Sequence, residues 1–190
     1  MITNTRKHIA KWVAFLMLFI LYLASPQKAQ AQFTEYEIKA ALCFNFAKYI
    51  DWPERMFSKN GNKIILSIYG SDPFEEVIDK LMRGRSVKGK YYIEVRRATS
   101  LRDLKGSHII FISRSERNNI GKVLNYIEGF SGTSVLTIGD NIEGFCQAGG
   151  ILNLLDDYTF QINVVAANNA ELLIDNKLIN IAADIVSTIE

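Results

Sequence analysis

One histidine limits the catalytic and metal chemistry that residues 32–190 could support. His108 is the only histidine in that range, since His8 lies in the N-terminal segment. A metal site built on several histidines is therefore excluded, and the carboxylates and cysteines show no metal-ligand spacing. A Ser-His-Asp catalytic triad or a Cys-His catalytic dyad would need His108 as its general base. Because His108 begins an apolar run, the sequence favours a buried structural histidine over a catalytic one.

Polar residues that follow predicted strands form a candidate ligand site. Asp72 follows an apolar run at 63–69, and Arg114 and Ser115 follow another at 108–113. Ligands of open α/β sheets bind at the carboxyl ends of strands, and a guanidinium can hold an anion with two hydrogen bonds. The sequence contains no glycine-rich phosphate-binding signature. We retain Arg114, Ser115 and Asp72 as candidate ligand-binding residues, although helix caps and turns are the commoner use of such residues.

Aromatic residues concentrate near the start of residues 32–190. Phe44, Tyr49, Trp52 and Pro53 lie within one short segment. A helix that is apolar over much of its circumference needs more than one surface to bury it. Two interpretations stay open, because these side chains could pack in the core or form a face that docks a partner protein. The four residues are our candidate partner-binding residues.

The first 31 residues have the pattern of a secretory signal peptide. Three basic residues precede an apolar run at 12–23, and the small-residue sequence AQA follows at 29–31. The apolar run is shorter than the roughly 20 residues that span a bilayer. We therefore expect cleavage after Ala31 and release into the periplasm, without membrane insertion.

The charge balance does not favour a nucleic-acid partner. The 190-residue chain holds 22 Lys and Arg against 20 Asp and Glu, a net charge of +2. Four of the basic residues precede position 32, so residues 32–190 carry 18 basic and 20 acidic groups. Nucleic-acid binding needs a concentrated basic surface. A modest basic spot at Lys88, Lys90 and Arg96-Arg97 is interpreted as a solvated strand end.

Hydrophobic periodicity predicts alternating helices and strands. The first helix runs from Glu35 to Ile50 and ends at Trp52-Pro53, because the residue before proline avoids the helical conformation. Ser113 and Glu116 have the spacing of a capping box for a later helix. Further helices are expected at 74–82 with Asp72 as its cap, 117–127, 166–174 and 176–189. Strands are expected at 63–69, 91–96, 108–113, 134–138, 151–155 and 158–164.

This order of elements predicts a single α/β domain over residues 32–190. Strands that alternate with helices pair in parallel through crossover connections, and the last two strands form a hairpin across Asp156-Asp157. We expect a three-layer α/β/α sandwich with a mixed, mostly parallel sheet and a C-terminal β-hairpin. Cys43 and Cys146 stand in apolar surroundings, which favours buried free thiols over a disulfide bond.

Three segments are specific enough to indicate a family. They are KAALCFNFAKYIDWP at 39–53, HIIFISRSE at 108–116 and FCQAGGILNLL at 145–155. With the segments between and after them, in order over nearly all of residues 32–190, they resemble the YfiR-like family of periplasmic proteins. The resemblance implies a dimeric α/β repressor that binds the periplasmic domain of a membrane-bound diguanylate cyclase, and so lowers cyclic di-GMP synthesis and biofilm formation.

The resemblance also implies positions at which some relatives carry cysteines. Ser67 and Ser107 look equivalent to one such pair, and Cys146 and Asn153 look equivalent to a second. Only Cys146 is a cysteine here. The thiol-disulfide control suggested for some relatives is therefore not expected in this chain.

Together these observations predict an exported, non-enzymatic regulator. We expect it to bind the periplasmic domain of an inner-membrane signalling protein, either a diguanylate cyclase or a sensor kinase, and to change the output of that protein. The alternative is a periplasmic module that binds a small anion or a nucleotide at Arg114. No cofactor is expected, and no nucleophile, base and orienting group can be assembled into an enzyme active site.

Overall fold

A sheet with helices on both of its faces forms the described part of the protein. The computed structural model describes residues 33–57, 61–130 and 134–187. The signal peptide predicted at 1–31 lies outside these residues. Two buried hydrophobic clusters lie on opposite faces of the sheet, one containing Phe46 and Phe111 and the other Ile110 and Phe145. The α/β fold class and the mostly parallel sheet are confirmed.

The helices and strands are short except for the first helix. The helices are α1 Glu35–Tyr49, α2 Val77–Met82, α3 Ile120–Glu128, α4 Val164–Asn169 and α5 Asn176–Ile179. The strands are β1 Ile50–Asp51, β2 Lys63–Tyr69, β3 Ser86–Val87, β4 Tyr91–Ala98, β5 Ile109–Ile112, β6 Leu136–Asp140, β7 Leu152–Leu154, β8 Phe160–Asn163, β9 Leu173–Ile174 and β10 Asp184–Val186. Segments of 3-10 helix cover Glu54–Phe57, Leu101–Leu104 and Arg114–Asn119.

The eight-stranded sheet has the order β10-β8-β7-β6-β5-β2-β4-β3. Its pairs are parallel except β7 with β8 and β3 with β4, which are antiparallel. The β7–β8 pair is the hairpin expected from the sequence. Separately, β1 pairs with β9 in a two-stranded antiparallel sheet, with Ile50 opposite Ile174.

Helix α1 forms where the periodicity predicts it and packs its apolar face on the sheet. Thr34 caps it in a capping box with Glu37, which satisfies two free backbone N–H groups. The Phe46 ring meets the Phe160 ring of β8 edge to face, with the centroids 5.0 Å apart. The helix ends at Tyr49, because the next two residues pair with β9.

The helix expected at 74–82 begins later than predicted. Asp72 does not cap it, since its side chain accepts a hydrogen bond from the Phe74 backbone N–H at 2.9 Å in a local turn. Glu75 has a φ of +50°, in the left-handed region that a helix cannot pass through. The α-helix therefore starts at Val77.

The helix expected at 117–127 is preceded by a tighter turn. Ser113 caps the 3-10 segment by accepting a hydrogen bond from the Ser115 backbone N–H at 3.4 Å, and the predicted capping box with Glu116 is absent. The α-helical part begins only at Ile120. The residue types indicated a helix start but not which helix geometry would follow.

The helices expected at 166–174 and 176–189 both form but are much shorter than predicted. Helix α4 ends at Asn169, and Leu173 and Ile174 form β9. Beyond α5 the chain extends as β10, whose Ile185 pairs with Ile162 of β8 in parallel. The β-branched residues of this segment suit a strand, and backbone pairing with β8 supplies the hydrogen bonds that a helix would otherwise make.

Two glycine substitutions give a test of the packing beneath the β6–β7 connection. A Cβ on Gly150 would lie 2.1 Å from Cε1 of Phe145, whose ring is fully buried, whereas a Cβ on Gly121 in α3 meets open space. We expect Gly150→Ala to lower the free energy of unfolding by about 1–3 kcal/mol through overpacking. Gly121→Ala should raise it by about 0.5–1 kcal/mol, because alanine favours the helix.

Urea denaturation of both variants and the unchanged protein measures these changes. A Gly150→Ala variant as stable as the unchanged protein would contradict the close contact between this backbone and Phe145.

Candidate functional site

Arg114 lies just after β5 and is surrounded by carboxylates. Its Nε donates to Asp140 Oδ2 at 3.0 Å, and its Nη2 donates to Glu35 Oε1 at 2.7 Å and to Asp156 Oδ1 at 3.0 Å. Asp140 ends β6, and Glu35 lies in the first turn of α1. The guanidinium therefore joins the carboxyl end of the sheet to the start of the first helix.

Lys39 completes this charged cluster from inside the protein. Lys39 and Asp140 have fully buried side chains, and Lys39 Nζ donates to Asp140 Oδ1 at 2.7 Å. The same Nζ lies 2.7 Å from Glu35 Oε1, and the Tyr36 hydroxyl donates to Asp140 Oδ2 at 3.2 Å. Two cations and three carboxylates thus meet at the end of β6, which leaves a negative excess.

The hydrogen bonds in the cluster keep its central groups charged in spite of burial. Burial alone would raise the pKa of Asp140, but hydrogen bonds and charges from Arg114 and Lys39 hold it below its usual value. Burial alone would lower the pKa of Lys39, but its hydrogen bonds to Asp140 and Glu35 raise it. Lys39 and Asp140 therefore form an ion pair at neutral pH.

The structure does not bring the three candidate anion ligands to one site. The Arg114 guanidinium donates its hydrogen bonds to carboxylates, and an incoming anion would have to compete with these carboxylates for it. Ser115 Oγ accepts a hydrogen bond from the Ser71 backbone N–H at 2.9 Å, which fastens two loops together. Asp72 Oδ2 accepts a hydrogen bond from Arg97 Nε at 2.8 Å. Each side chain thus has a structural partner of its own.

His108 is fully buried and holds backbone groups with both ring nitrogens. Its Nδ1 accepts a hydrogen bond from the Ile65 N–H at 3.1 Å, so Nε2 carries the proton and faces the Met56 carbonyl at 3.1 Å. The ring stacks on Phe57, with the centroids 5.1 Å apart. Burial lowers the pKa of His108, which favours the neutral form that this pattern needs.

Ser67 and Ser107, the two serines that the resemblance pairs with cysteines of some relatives, touch each other. Ser67 Oγ and Ser107 Oγ are 2.7 Å apart, and both residues are buried. Asn153 holds the 142–146 loop, because its amide accepts from the Ile142 N–H at 3.0 Å and donates to the Ile142 carbonyl at 2.9 Å.

Cys43 and Cys146 are fully buried free thiols. Burial raises the pKa of each to about 12, so neither is a reactive thiolate at neutral pH.

The four candidate partner-binding residues are divided between the core and a groove. Phe44 is only 6% exposed and contributes to the core, and Tyr49 is half-buried. Trp52 and Pro53 line an open cavity of about 370 Å³, which we name the Trp52 groove. The residues that line it are Asp51, Trp52, Pro53, Asn168, Glu171, Leu172 and Leu173.

The residues that line the Trp52 groove come from distant parts of the chain. Trp52 is held by a hydrogen bond from its Nε1 to the His108 carbonyl at 3.3 Å. Leu173 is 71% exposed and faces the groove from β9, which pairs with β1 beside Trp52. Sequence reasoning missed Leu172 and Leu173, because it assigned them to a helix and local periodicity carries no signal for the β1–β9 pairing.

A second cavity of about 340 Å³ lies between α3, the start of β6 and α4. Its lining includes the apolar residues Ile127, Val135 and Ile151 and the polar residues Asn169 and Glu128. An acidic residue at the cavity disfavours an anionic ligand.

Two other kinds of feature are absent from the described ranges. Within residues 33–57, 61–130 and 134–187, no cluster of His, Cys, Asp and Glu is arranged to hold a metal ion. Across these same ranges, no helix has the length and apolar character needed to cross a membrane.

The sequence matches one family model over most of its length. Residues 36–183 match the family described as DUF4154: YfiR/HmsC-like. No curated protein matches the chain.

Two solved structures are similar to this chain at low sequence identity. The ABC domain in complex with L-Trp from Streptococcus pneumonia is 10% identical, with a TM-score of 0.53 over 77% of this chain and 60% of that one. A conserved domain protein from Vibrio cholerae O1 biovar eltor is 11% identical, with a TM-score of 0.47 over 80% of this chain and 60% of that one. The chain thus spans 60% of each of these proteins, and the first shows a shared α/β fold alone.

Removing the central carboxylate should destabilise the fold strongly. Asp140→Asn removes the buried negative charge that pairs with Lys39, so we expect the free energy of unfolding at pH 7 to fall by about 3–5 kcal/mol. Asp157→Asn makes the same chemical change at an exposed turn and should cost far less, because asparagine can still accept the hydrogen bonds from Thr159. Chemical denaturation of the two variants measures the difference.

The pH dependence of stability in acid is a second test of the ion pair between Lys39 and Asp140. Because the folded pKa of Asp140 lies below its unfolded value of about 3.9, the stabilisation is complete above that value and is lost as the pH falls through the folded pKa. Asp140→Asn should remove part of this acid dependence. Equal stability of the Asp140→Asn and Asp157→Asn variants at neutral pH would contradict a structural role for the cluster.

The contact between Ser67 and Ser107 should accept a disulfide bond. The variant Ser67→Cys/Ser107→Cys would close a loop of about 40 residues, which corresponds to a stabilisation of about 4 kcal/mol in the oxidised form. Thermal denaturation with and without reductant measures this, and Ser67→Cys alone is the control. A double variant that stays reduced under oxidising conditions would show that the two side chains are farther apart than 2.7 Å between oxygens implies.

Proposed function

The chain belongs to the YfiR/HmsC-like family of periplasmic regulators of diguanylate cyclases, and from this membership we propose that it is an exported, non-enzymatic regulator of an inner-membrane signalling protein. It binds the periplasmic domain of that protein and changes its output, and so affects cyclic di-GMP or biofilm signalling. The observation that carries the proposal is the family match over residues 36–183. Cleavage after Ala31 and a homodimer are parts of the proposal that remain predictions.

The Trp52 groove is the surface that best fits a protein partner. It combines the indole of Trp52 and the ring of Pro53 with Leu173, an aliphatic side chain that is 71% exposed. Aromatic anchors beside an apolar depression are typical of residues that dominate binding energy. Asp51 and Glu171 form a polar rim, as is usual around such a centre. Trp52 is fixed by its hydrogen bond to the His108 carbonyl, which lowers the entropic cost of ordering it on binding.

Binding at this groove would change the output of the receptor through linkage. A regulator that binds one receptor conformation more tightly than the other shifts the population toward it, by at most the difference between the two binding free energies. No chemical step on the regulator is needed. This agrees with the structural use of Arg114 and His108 in the described residues.

The alternative, an anion- or nucleotide-binding module, has weaker support. Arg114 already donates to three carboxylates. The second cavity is lined in part by Glu128, which disfavours a negatively charged ligand.

A matched pair of surface variants tests the proposed function. Leu173 and Ile181 are both exposed aliphatic residues, at 71% and 67%, and only Leu173 lines the Trp52 groove. We expect tagged Leu173→Glu protein to recover the receptor from detergent-solubilised inner membranes at least about tenfold less well than the unchanged protein, because the loss of one well-placed apolar contact costs about 1–2 kcal/mol or more. Ile181→Glu should recover it normally.

Mass spectrometry identifies and quantifies the recovered protein, and the level of cyclic di-GMP in cells that produce each variant gives the functional readout. Equal recovery with both variants would remove the groove from the proposal. Failure of the folded, unchanged protein to recover any protein with a periplasmic domain would contradict the regulatory function itself.

A further inference from the structure

One edge of the eight-stranded sheet carries a concentrated positive charge. Residues 83–90 contain four basic side chains and no acidic one, and all four are exposed. They flank β3, the last strand of the sheet, which is two residues long and pairs only with β4 among the described strands. We call these side chains together with Lys48 of α1 the basic edge; its members are Lys48, Arg83, Arg85, Lys88 and Lys90.

Helix α1 and the β3 segment bring these cations together. Lys48 Nζ lies 4.6 Å from the centre of the Phe44 ring, and the Arg85 guanidinium lies 5.9 Å from the same centre. Lys88 reaches the end of α1, where it donates to the Ile50 carbonyl at 3.2 Å and pairs with Asp51. Lys48, Arg85 and Lys88 therefore form one surface across two elements, and Arg83 and Lys90 flank it along the chain.

Most of the basic edge has no counter-charge within ion-pair distance. Among the described residues, Lys48, Arg83, Arg85 and Lys90 form no salt bridge, and only Lys88 does. Residues 32–190 have two more acidic than basic groups, so that, apart from residues 83–90, they hold an excess of about six negative charges. The basic edge is therefore a positive surface on a domain whose other residues carry a net negative charge.

Protection of a sheet edge explains only part of this surface. Basic residues on an edge strand do prevent pairing with another chain. Arg83 and Lys90, however, lie outside the two-residue strand, and Lys48 lies on a helix. Tyr92, on the neighbouring strand, is 50% exposed, and tyrosine is enriched where proteins meet the polar region of a bilayer.

We propose that the basic edge holds the protein at an anionic phospholipid surface. Neither cavity described above touches these side chains, and long hydrated cations without a binding depression suit a diffuse layer of phosphate charges better than a shaped protein partner. Juxtamembrane cations are each attracted to anionic lipids, and the attraction adds over a cluster. The inference rests on the proposed function, because a receptor in the inner membrane is found faster by a regulator that is concentrated on the same surface.

Vesicle sedimentation with two charge-matched variants tests the proposal. The probe is unilamellar vesicles of phosphatidylcholine with phosphatidylglycerol, compared with phosphatidylcholine alone. The test variant is Arg83→Glu/Arg85→Glu/Lys90→Glu. The control is Arg102→Glu/Lys105→Glu/Lys122→Glu, which reverses three exposed cations outside the basic edge. Both variants have the same net charge, so they differ only in where the charge lies.

We expect the unchanged protein and the control to bind the anionic vesicles but not the neutral ones. The test variant should bind the anionic vesicles at least about tenfold less. A higher salt concentration should release the unchanged protein and both variants from these vesicles, because salt screens surface charge. Equal loss in both variants would show that net charge alone governs binding, and equal binding to neutral vesicles would show that lipid charge plays no part. Either result overturns the proposal.

Binding to the receptor in solution separates this proposal from the proposed function. The test variant should recover the detergent-solubilised receptor as well as the control does, since its substitutions lie outside the Trp52 groove. A test variant that binds vesicles normally but loses the receptor would show that the basic edge contacts an acidic protein surface and not the lipid. A failure of all proteins to recover the receptor would reject the proposed function and leave the vesicle result standing.

Discussion

The buried ion pair between Lys39 and Asp140 fixes the position of the first helix on the sheet. Transferring two charges from water to a protein interior costs several kcal/mol per ion, so the folded state is favoured only where each charge meets close partners. Glu35, Tyr36 and Arg114 supply those partners around Asp140 and Lys39. A shift of α1 by one turn would separate Tyr36 and Lys39 from Asp140, and Glu35 from Arg114, at the same time. The apolar face of the helix supplies the larger area of contact, but the ion pair selects one register.

The position of α1 determines both candidate surfaces. Its last turn leads directly into β1, which carries Asp51 and Trp52 to the groove beside Leu173. Its outer side carries Lys48 toward Arg85. Asp51 belongs to both surfaces, because it lines the groove and pairs with Lys88 of the basic edge. Binding of a partner in the groove and binding of lipid phosphates at the basic edge would therefore both affect Asp51.

The sequence was sufficient where structure depends on local patterns, and insufficient where it depends on contacts between distant residues. Long apolar runs such as 63–69 became strands, and the period of α1 gave its bounds to within one residue. The helix expected at 176–189 is much shorter than predicted because pairing of Ile185 with Ile162 decides the outcome, and periodicity is blind to that contact.

The same distinction between local patterns and contacts of distant residues applies to the candidate site residues. Trp52 and Pro53 were identified because aromatic residues concentrate around the first helix, and both residues line the groove. Arg114 was identified as a cation at a strand end, but its neighbours in space are carboxylates from three separate segments. No spacing along the chain indicates that Glu35 and Asp156 meet there. Leu173 was missed for the same reason.

The distance along the chain between Lys39 and Asp140 has a consequence for secretion. The two residues are 101 positions apart, and α1 lies near the N-terminus, so under the proposed export it crosses the membrane long before its acceptor does. During that interval Lys39 has only Glu35 and water as partners, and the helix has no completed sheet on which to pack. The order of translocation therefore keeps the leading segment unfolded until β6 emerges, which leaves it open to chaperones and proteases of the destination compartment.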